Sequence, residues 1–225
     1  MSAETPLRDY LEKRDFDRTP EPRGGGEAPS ASDPIFVVQE HRASSHHFDV
    51  RIQVGDVLRS WAVPKGPSTD PSEKRLAVPT EDHPLEYAGF EGVIPQDEYG
   101  GGTVLVWDAG PYTVLKTDDD GEPVPVEAQL DQGELTVWLH GEKLRGGYAL
   151  VRMGGGEDER WLLIKMDDEE ADARRNPTST EPRSVLSGRT LDEIEAEEGA
   201  ADDDGSESGG EEGSGGDGHG EEEGP

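Results

Sequence analysis

The sequence predicts a mainly β protein, an antiparallel barrel or sandwich with short peripheral helices and a disordered acidic C-terminal tail. Three observations carry this. About nine segments between residues 35 and 166 alternate apolar and polar residues with the period of two that a strand requires. Gly, Asp and Pro turns such as VGD, DDDG and LRGG separate most of them. Helical patterns between them are scarce, which disfavours a parallel sheet with crossover helices.

From the N-terminus, residues 4–18 (ETPLRDYLEKRDFDR) suit a short helix with Leu7, Tyr10 and Leu11 on one side. Residues 19–34 (TPEPRGGGEAPSASDP) read as a loop by their Pro, Gly and Ser content. The strand candidates follow as IFVVQ, HFDVRIQV, VLRSWAV, KRLAVPT, TVLVWD, YTVLK, ELTVWLH, YALVRM and RWLLIKM. The pattern stops near Met166. Residues 167–196 read as a linker with one short helix at Leu191–Ala196. Residues 197–225 are nearly all Asp, Glu, Gly and Ser. Such a segment buries too little apolar surface to offset ordering entropy, so disorder is expected. The chain thus divides into an N-terminal helix and loop (1–34), a β domain (35–166), a linker (167–196) and a tail (197–225).

Composition narrows the class. The chain has 225 residues, room for one domain and a tail, and its hydrophobic content of 30% is low for a protein folded throughout. Cysteine is absent, so any metal must be held by His, Asp, Glu, carbonyls or water. The N-terminal MSAETPLRDYLEKRDF has no apolar stretch and carries acids early, unlike a signal or transit peptide. No apolar run approaches membrane-spanning length. The expectation is a soluble cytoplasmic protein with no membrane partner.

Net charge is −31, and residues 167–225 hold 21 acidic residues against four arginines. The rest of the chain is acidic too. That argues against broad coating of DNA, which needs a basic face. It leaves room for a local pocket that takes one phosphate. Lysine is scarce, a balance that suits a salty cytoplasm.

Residues 41–51 read HRASSHHFDVR and hold three of the six histidines. With HFDVRIQV as a strand, His47, Asp49, Arg51 and Gln53 share one face; Phe48, Val50, Ile52 and Val54 share the other. Neighbours i and i+2 stand roughly 6.5–7 Å apart, near enough to converge on one ion. His41, before the loop RASS, is placed to fold back as a third ligand. Two histidines and a carboxylate suit Mn, Fe or Zn and leave coordination positions open. Arg51 would stand beside such an ion as a bidentate grip on an oxyanion. His46 falls on the core side. Parity and spacing alone do not separate this site from a polar strand rich in histidine.

In PTEDHPLEYAGFEG (79–92), His83 and Tyr87 are four residues apart and would share a face of one helical turn. His83 suits proton transfer to a leaving oxygen, and Tyr87 a bond to a phosphate oxygen. A turn with a capped histidine before Pro84 is the plainer reading. Lys65 and Arg75 are candidate phosphate contacts, each equally a solvated cation. Glu81 and Ser60 also fit a satisfied strand edge. The glycines of EYGGGTVLVWD (98–108) lack the phosphate-loop pattern and read as a bend entering a strand.

Several long blocks in one order, HRASSHHFDVRIQ, LRSWAVPKGPS, KRLAVPTEDHPLEYAGFEGVIPQDEYGGGTVLVWDAG and RWLLIKM, resemble the 3′-phosphoesterase domain of bacterial DNA ligase D and its stand-alone relatives. The likeness runs from about Leu11 to Met166. YLEKRDFDRTPEP resembles the family's start, and PRSVLSGRTLDEI the segment that follows the domain in the multidomain ligases.

The resemblance implies a compact antiparallel β-barrel, with residues 1–34 contributing to its site. It implies a manganese enzyme, Co2+ or Zn2+ being compatible with the same ligands, that acts on 3′ ends of DNA or RNA-tipped DNA. A 3′-terminal ribonucleoside is removed to leave a 3′-phosphate, and the phosphate is then removed to leave a 3′-hydroxyl for end joining. By motif position, His41, His47 and Asp49 would be metal ligands. Arg51, His83 and Tyr87 would hold the scissile phosphate and serve catalysis. Lys65 and Arg75 match further basic positions. Arg14, Asp15, Glu21, Gln39, Ser60 and Glu81 match positions that serve ribonucleoside removal or support the site. Position 46, commonly apolar in the family, is His46 here: a substitution tolerated on the core side, or a donor behind the ligands.

No KxDG ligase nucleophile and no polymerase-length region are present. The implied protein is a monomeric end-healing enzyme at DNA ends in the nucleoid, working with a ligase in trans. Two rivals stand beside it. One is a cupin-like metal oxygenase or isomerase, whose strand would show HxH rather than His47-x-Asp49-x-Arg51. The other is a non-catalytic DNA-end-binding module.

Overall fold

Alternation along the chain is realised as ten strands, seen in a computed structural model that describes residues 6–25, 33–154 and 159–203, with side chains to residue 198. The strands are β1 (Ile35–Arg42), β2 (His46–Val54), β3 (Val57–Val63), β4 (Lys74–Pro79), β5 (His83–Pro84), β6 (Gly92–Ile94), β7 (Gly102–Val114), β8 (Glu134–His140), β9 (Arg145–Met153) and β10 (Arg160–Lys165). The helices α1 (Arg8–Glu12), α2 (Val126–Gln132), α3 (Pro177–Thr180) and α4 (Leu191–Asp203) are peripheral. Among the described residues no helix is long and apolar enough to cross a membrane.

The neighbour order is β1-β2-β3-β4-β10-β9-β8-β7, and β7 pairs with β1 again. Eight antiparallel strands therefore close into a barrel, which removes the open edges of a flat sheet. β5 adds to β3, and β6 to β7, outside that ring.

Parity decides what each face does. Phe36, Val38, Phe48, Val50, Ile52, Trp61, Leu105 and Trp107 belong to one buried cluster that fills the interior. Each such side chain contributes about 1.5–3 kcal/mol on burial. The intervening Val37, Leu58, Val104 and Val106 point outward and form a second cluster with Tyr10, Tyr87, Phe90 and Ile94. The N-terminal segment and residues 83–94 thus cover the outer face of β1, β3 and β7. The polar side of β2 lies in this outer layer.

Several elements differ from the sequence reading. α1 spans five residues rather than fifteen; the chain then turns, with Arg18 and Thr19 donating to the Asp15 carbonyl. TVLVWD and YTVLK are one 13-residue strand, β7. The Asp-Ala-Gly-Pro between them is no turn. Gly110 lets the β8 end approach, since a Cβ there would run into the His140 carbonyl oxygen. α2 was not anticipated. It buries Val126 and Leu130 against the barrel and ends at Gly133, whose φ of 84° is left-handed.

The segment read as a linker is packed onto the barrel. Val185 N–H bonds the Val106 carbonyl at 3.0 Å, Trp107 Nε1 the Glu181 carbonyl at 2.9 Å, and Lys143 Nζ the same carbonyl at 2.9 Å. α4 extends to Asp203, past the expected end at Ala196. A capping box explains its start: Glu193 N–H donates to Thr190 Oγ1, and Thr190 N–H donates to Glu193 Oε2. Leu191 and Ile194 then bury at helical spacing in the barrel core. Residues 204–225, most of the tail expected to be disordered, lie outside the described residues.

Candidate metal centre and active-site cleft

β1 and β2 form a hairpin in which His41 stands opposite His47 and Gln39 opposite Asp49. His41 is thus a cross-strand neighbour of the ligand pair and needs no fold-back from a loop. Ligand atoms of His41, His47 and Asp49 all lie within 4.8 Å of one another. Asp49 Oδ2 is 3.7 Å from His41 Nδ1 and 3.7 Å from His47 Nε2. Donors bound at about 2.0–2.2 Å to one ion stand roughly 3–3.6 Å apart, so a small closure suffices.

The surroundings fit a cation. His41 Nε2 is buried and has no hydrogen-bond partner. His47 Nδ1 is 2.9 Å from the Ser45 carbonyl; donating there assigns the tautomer and leaves the Nε2 lone pair free. Burial alone would raise the Asp49 carboxyl. Arg51 and the two histidines outweigh it and hold Asp49 well below the usual carboxylate range, ionised. Among the described residues this is the one group of its kind.

Arg51 is 2% exposed. Its Nε donates to Gln39 Oε1 at 2.7 Å, Nη1 to Ser60 Oγ at 2.9 Å, and Nη2 to Asp49 Oδ2 at 3.2 Å. A buried guanidinium held by three acceptors keeps one orientation and retains donors for an anion.

His83 sits in β5, directly opposite Leu58 of β3, and not in a helical turn as expected. Tyr87 follows in a 3-10 turn (Leu85–Gly89), yet the two rings still meet at 4.6 Å. His83 Nδ1 lies 2.8 Å from the Glu81 carbonyl and 3.0 Å from Arg51 Nη1. The shorter contact assigns Nδ1–H as donor to Glu81, which leaves Nε2 as the acceptor. Burial first, then the charges of Arg51 and Arg14, hold the imidazole well below its ordinary value, so it is neutral.

The N-terminal segment forms one wall. Arg14 Nε donates to Glu21 Oε1 at 2.8 Å and Nη1 to Glu81 Oε1 at 3.0 Å. The Tyr87 hydroxyl donates to Glu21 Oε1 at 2.9 Å. Burial, with Glu21 beside it, pushes that phenol well above its ordinary value, so it stays protonated. Together these groups line a cleft of about 290 Å³ on the outer face of the barrel.

Of the residues singled out in the sequence, Arg14, Glu21, His41, His47, Asp49, Arg51, Glu81, His83 and Tyr87 line this cleft. Gln39 and Ser60 lie behind it, bonded to Arg51. Asp15 does not reach it; its exposed carboxylate accepts from Asp17 N–H in the turn after α1. Lys65 and Arg75 line a separate cleft of about 330 Å³ with Lys74 and Glu73. Arg75 Nε is buried there without a partner. His46 points away, with Nε2 2.8 Å from Glu40 Oε1 and its ring against Phe48. Arg42, which had no role in the sequence reading, pairs with Asp192 and Glu195 of α4. Sequence reasoning missed Thr80, Ile94 and Tyr99, which also line the cleft. A lone tyrosine in a glycine-rich turn was the available signal for the last of these.

Fold and site together define a β-barrel protein with a candidate metal centre beside an immobilised arginine. A family model described as the DNA Ligase D 3′-phosphoesterase domain matches residues 39–152. The chain belongs to this family, whose name implies hydrolysis of phosphoesters. It is 45% identical over 195 residues to the multifunctional non-homologous end joining protein LigD of Pseudomonas aeruginosa, covering 85% of this chain and 22% of that protein. It is 41% identical over 173 residues to the multifunctional non-homologous end joining DNA repair protein LigD of Mycobacterium tuberculosis, covering 75% and 21%. The Mycolicibacterium smegmatis LigD protein is 40% identical over 178 residues, covering 75% and 22%. The chain spans about a fifth of the length of these relatives. Membership in this family sets aside the cupin-like reading.

Proposed function

We propose that this chain heals 3′ ends of nucleic acid for end joining, with manganese as its metal. It would remove a 3′-terminal ribonucleoside to leave a 3′-phosphate, and hydrolyse that phosphate to a 3′-hydroxyl. The observation that carries this reading is the buried Arg51 beside Asp49, within one cleft that also holds His41, His47 and His83. A fixed guanidinium next to a cation site suits a tetrahedral oxyanion better than a neutral substrate.

His41, His47 and Asp49 would hold the cation. When bound, it would supply Lewis-acid polarisation of a phosphate oxygen. Arg51 offers its remaining N–H groups to the equatorial oxygens and needs no reorganisation to do so. Neutral His83 enters as a proton acceptor at Nε2. It can donate a proton only after taking one up. The Tyr87 hydroxyl has one hydrogen and gives it to Glu21; holding phosphate by donation requires exchanging that partner. Arg14, Glu21 and Glu81 shape the wall where the leaving nucleoside would lie.

An acidic chain meets nucleic acid best by gripping only the last nucleotides, so few phosphates would be neutralised and the salt slope of binding would be shallow. A ligase would then seal the healed end.

The test is direct. A primer-template with one 3′-terminal ribonucleotide, and another with a 3′-phosphate, are incubated with the protein and manganese. Trimming to a 3′-hydroxyl by the wild type, lost in His41→Ala and Arg51→Ala, is expected. Binding of the end without trimming would make the chain an end-binding module. Trimming by His41→Ala at the wild-type rate would remove the metal site from the reaction.

A further inference from the structure

The sequence has thirteen Phe, Trp and Tyr residues, all among the described ones, and Tyr99 alone is exposed. It is 47% exposed and lines the same cleft as the candidate ligands. Chance would put a lone exposed aromatic anywhere on the surface. This one is at the mouth of the site.

Its mount is rigid. Tyr99 lies in the turn 95–101, where Glu98 N–H bonds the Pro95 carbonyl at 3.0 Å and Gly101 N–H the Glu98 carbonyl at 3.0 Å. Gly100 follows at φ 78°, a left-handed value that favours glycine. A Cβ on Gly101 would stand 2.6 Å from the Pro95 carbonyl oxygen, so the turn closes as tightly as backbone allows. The hydroxyl is 3.3 Å from Glu81 Oε2 and 3.4 Å from Lys13 Nζ. Lys13 Nζ and the Arg14 guanidinium lie 4.9 and 5.5 Å from the ring centroid. Both cations lie over the ring and are paired with Glu81, so the half-exposed ring itself, rather than free charge, is what a nucleobase would meet by stacking.

We infer that Tyr99 is a positioning residue on which the base of the 3′-terminal nucleotide stacks. This rests on the reading above that nucleic-acid 3′ ends are the substrate. Stacking tolerates all four bases because each has a π face, so the platform would align the end without selecting sequence. It would hold the terminal nucleoside against the Arg14–Glu81 wall while Arg51 receives the phosphate.

The probe is a primer-template whose 3′-terminal ribonucleotide carries 2-aminopurine, whose fluorescence reports stacking without any turnover. Wild type should bind this end about tenfold tighter than the same end with an abasic terminal ribose. Tyr99→Ala should abolish that preference and raise KM more than it lowers kcat. Tyr99→Phe, which keeps the ring and loses the hydroxyl, should rescue binding relative to Tyr99→Ala. Equal wild-type binding of base-bearing and abasic ends would overturn the inference, whatever the variants do. So would equal losses in Tyr99→Phe and Tyr99→Ala, which would assign the effect to the hydroxyl. Failure to trim either end, with stacking intact, would instead count against the proposed reaction.

Discussion

Gln39 locks Arg51 to the turn that carries Tyr87. Its Oε1 accepts from Arg51 Nε at 2.7 Å, and its Nε2 donates to the Tyr87 and Phe90 carbonyls at 3.0 Å each. One fully buried amide thus joins β1, β2 and residues 85–90. Gln39→Ala would leave the Phe90 carbonyl and one guanidinium N–H buried without these partners, while the Tyr87 carbonyl keeps the Phe90 N–H at 3.0 Å. Each unsatisfied group costs about 1–3 kcal/mol. The variant should unfold at clearly lower temperature and, where still folded, lose kcat more than substrate affinity. A melting curve matching the wild type would contradict this account.

The His41, His47 and Asp49 group should bind Mn2+ before any substrate is present. Chelation should stop turnover and added Mn2+ should restore it. His41→Ala removes a donor outright, so it should weaken affinity beyond the roughly 10–100-fold typical of an outer contact. Spin-resonance titration of free Mn2+ reads this without an activity assay.

Beside Asp49, two further cleft groups contribute to the acid limb of stability. His83 is held well below its ordinary value by burial, Arg51 and Arg14. Below about pH 6.5 the unfolded chain takes up a proton there that the folded chain refuses. Its contribution is full above that pH and is lost as pH falls through the folded value. Glu81 has the same sign lower down. Burial raises its carboxyl, but a backbone hydrogen bond and Arg14 outweigh this and hold it below its ordinary value. Its contribution is full above about pH 4.3 and is lost in stronger acid. Urea midpoints should therefore fall in two stages from pH 8 downward, the upper one smaller in His83→Asn. A flat midpoint from pH 7 to 5.5 would contradict the assignment.

The strap after the barrel should be structural. Ile194 is fully buried in the main core, and Ile194→Ala should cost about 2–5 kcal/mol. A chain ending after Lys165 should be far less stable than one ending after Asp203, with removal of 204–225 nearly neutral for folding and turnover. Equal stability of the two truncated chains would show the strap to be a passive rider.

Much of this was legible because period-two alternation is a local property. HFDVRIQV assigns His47, Asp49 and Arg51 to one face without any knowledge of the barrel. What parity could not supply was distance. Lys65 and Arg75 read as cations of the same site, yet β4 carries Arg75 into another cleft. The short β5 and β6 carry too few residues for a period to register. The strap hid behind its acidic composition, because few apolar residues, chiefly Leu191 and Ile194, anchor it beside the backbone bonds of Glu181 and Val185. Tyr99 was passed over because its partners, Lys13 and Glu81, come from distant parts of the chain.

The hairpin that joins His41 to His47 and Asp49 has a consequence for how the protein is made. All three ligand candidates fall within nine consecutive residues, so their contacts are among the most local in a topology otherwise ruled by distant strand pairing, which slows folding. An ion captured by that hairpin in the nascent chain would bind the unfolded state as well as the native one. Metal would then add less to equilibrium stability than its affinity suggests, and its main service to folding would be to fix the register of the first strand pair.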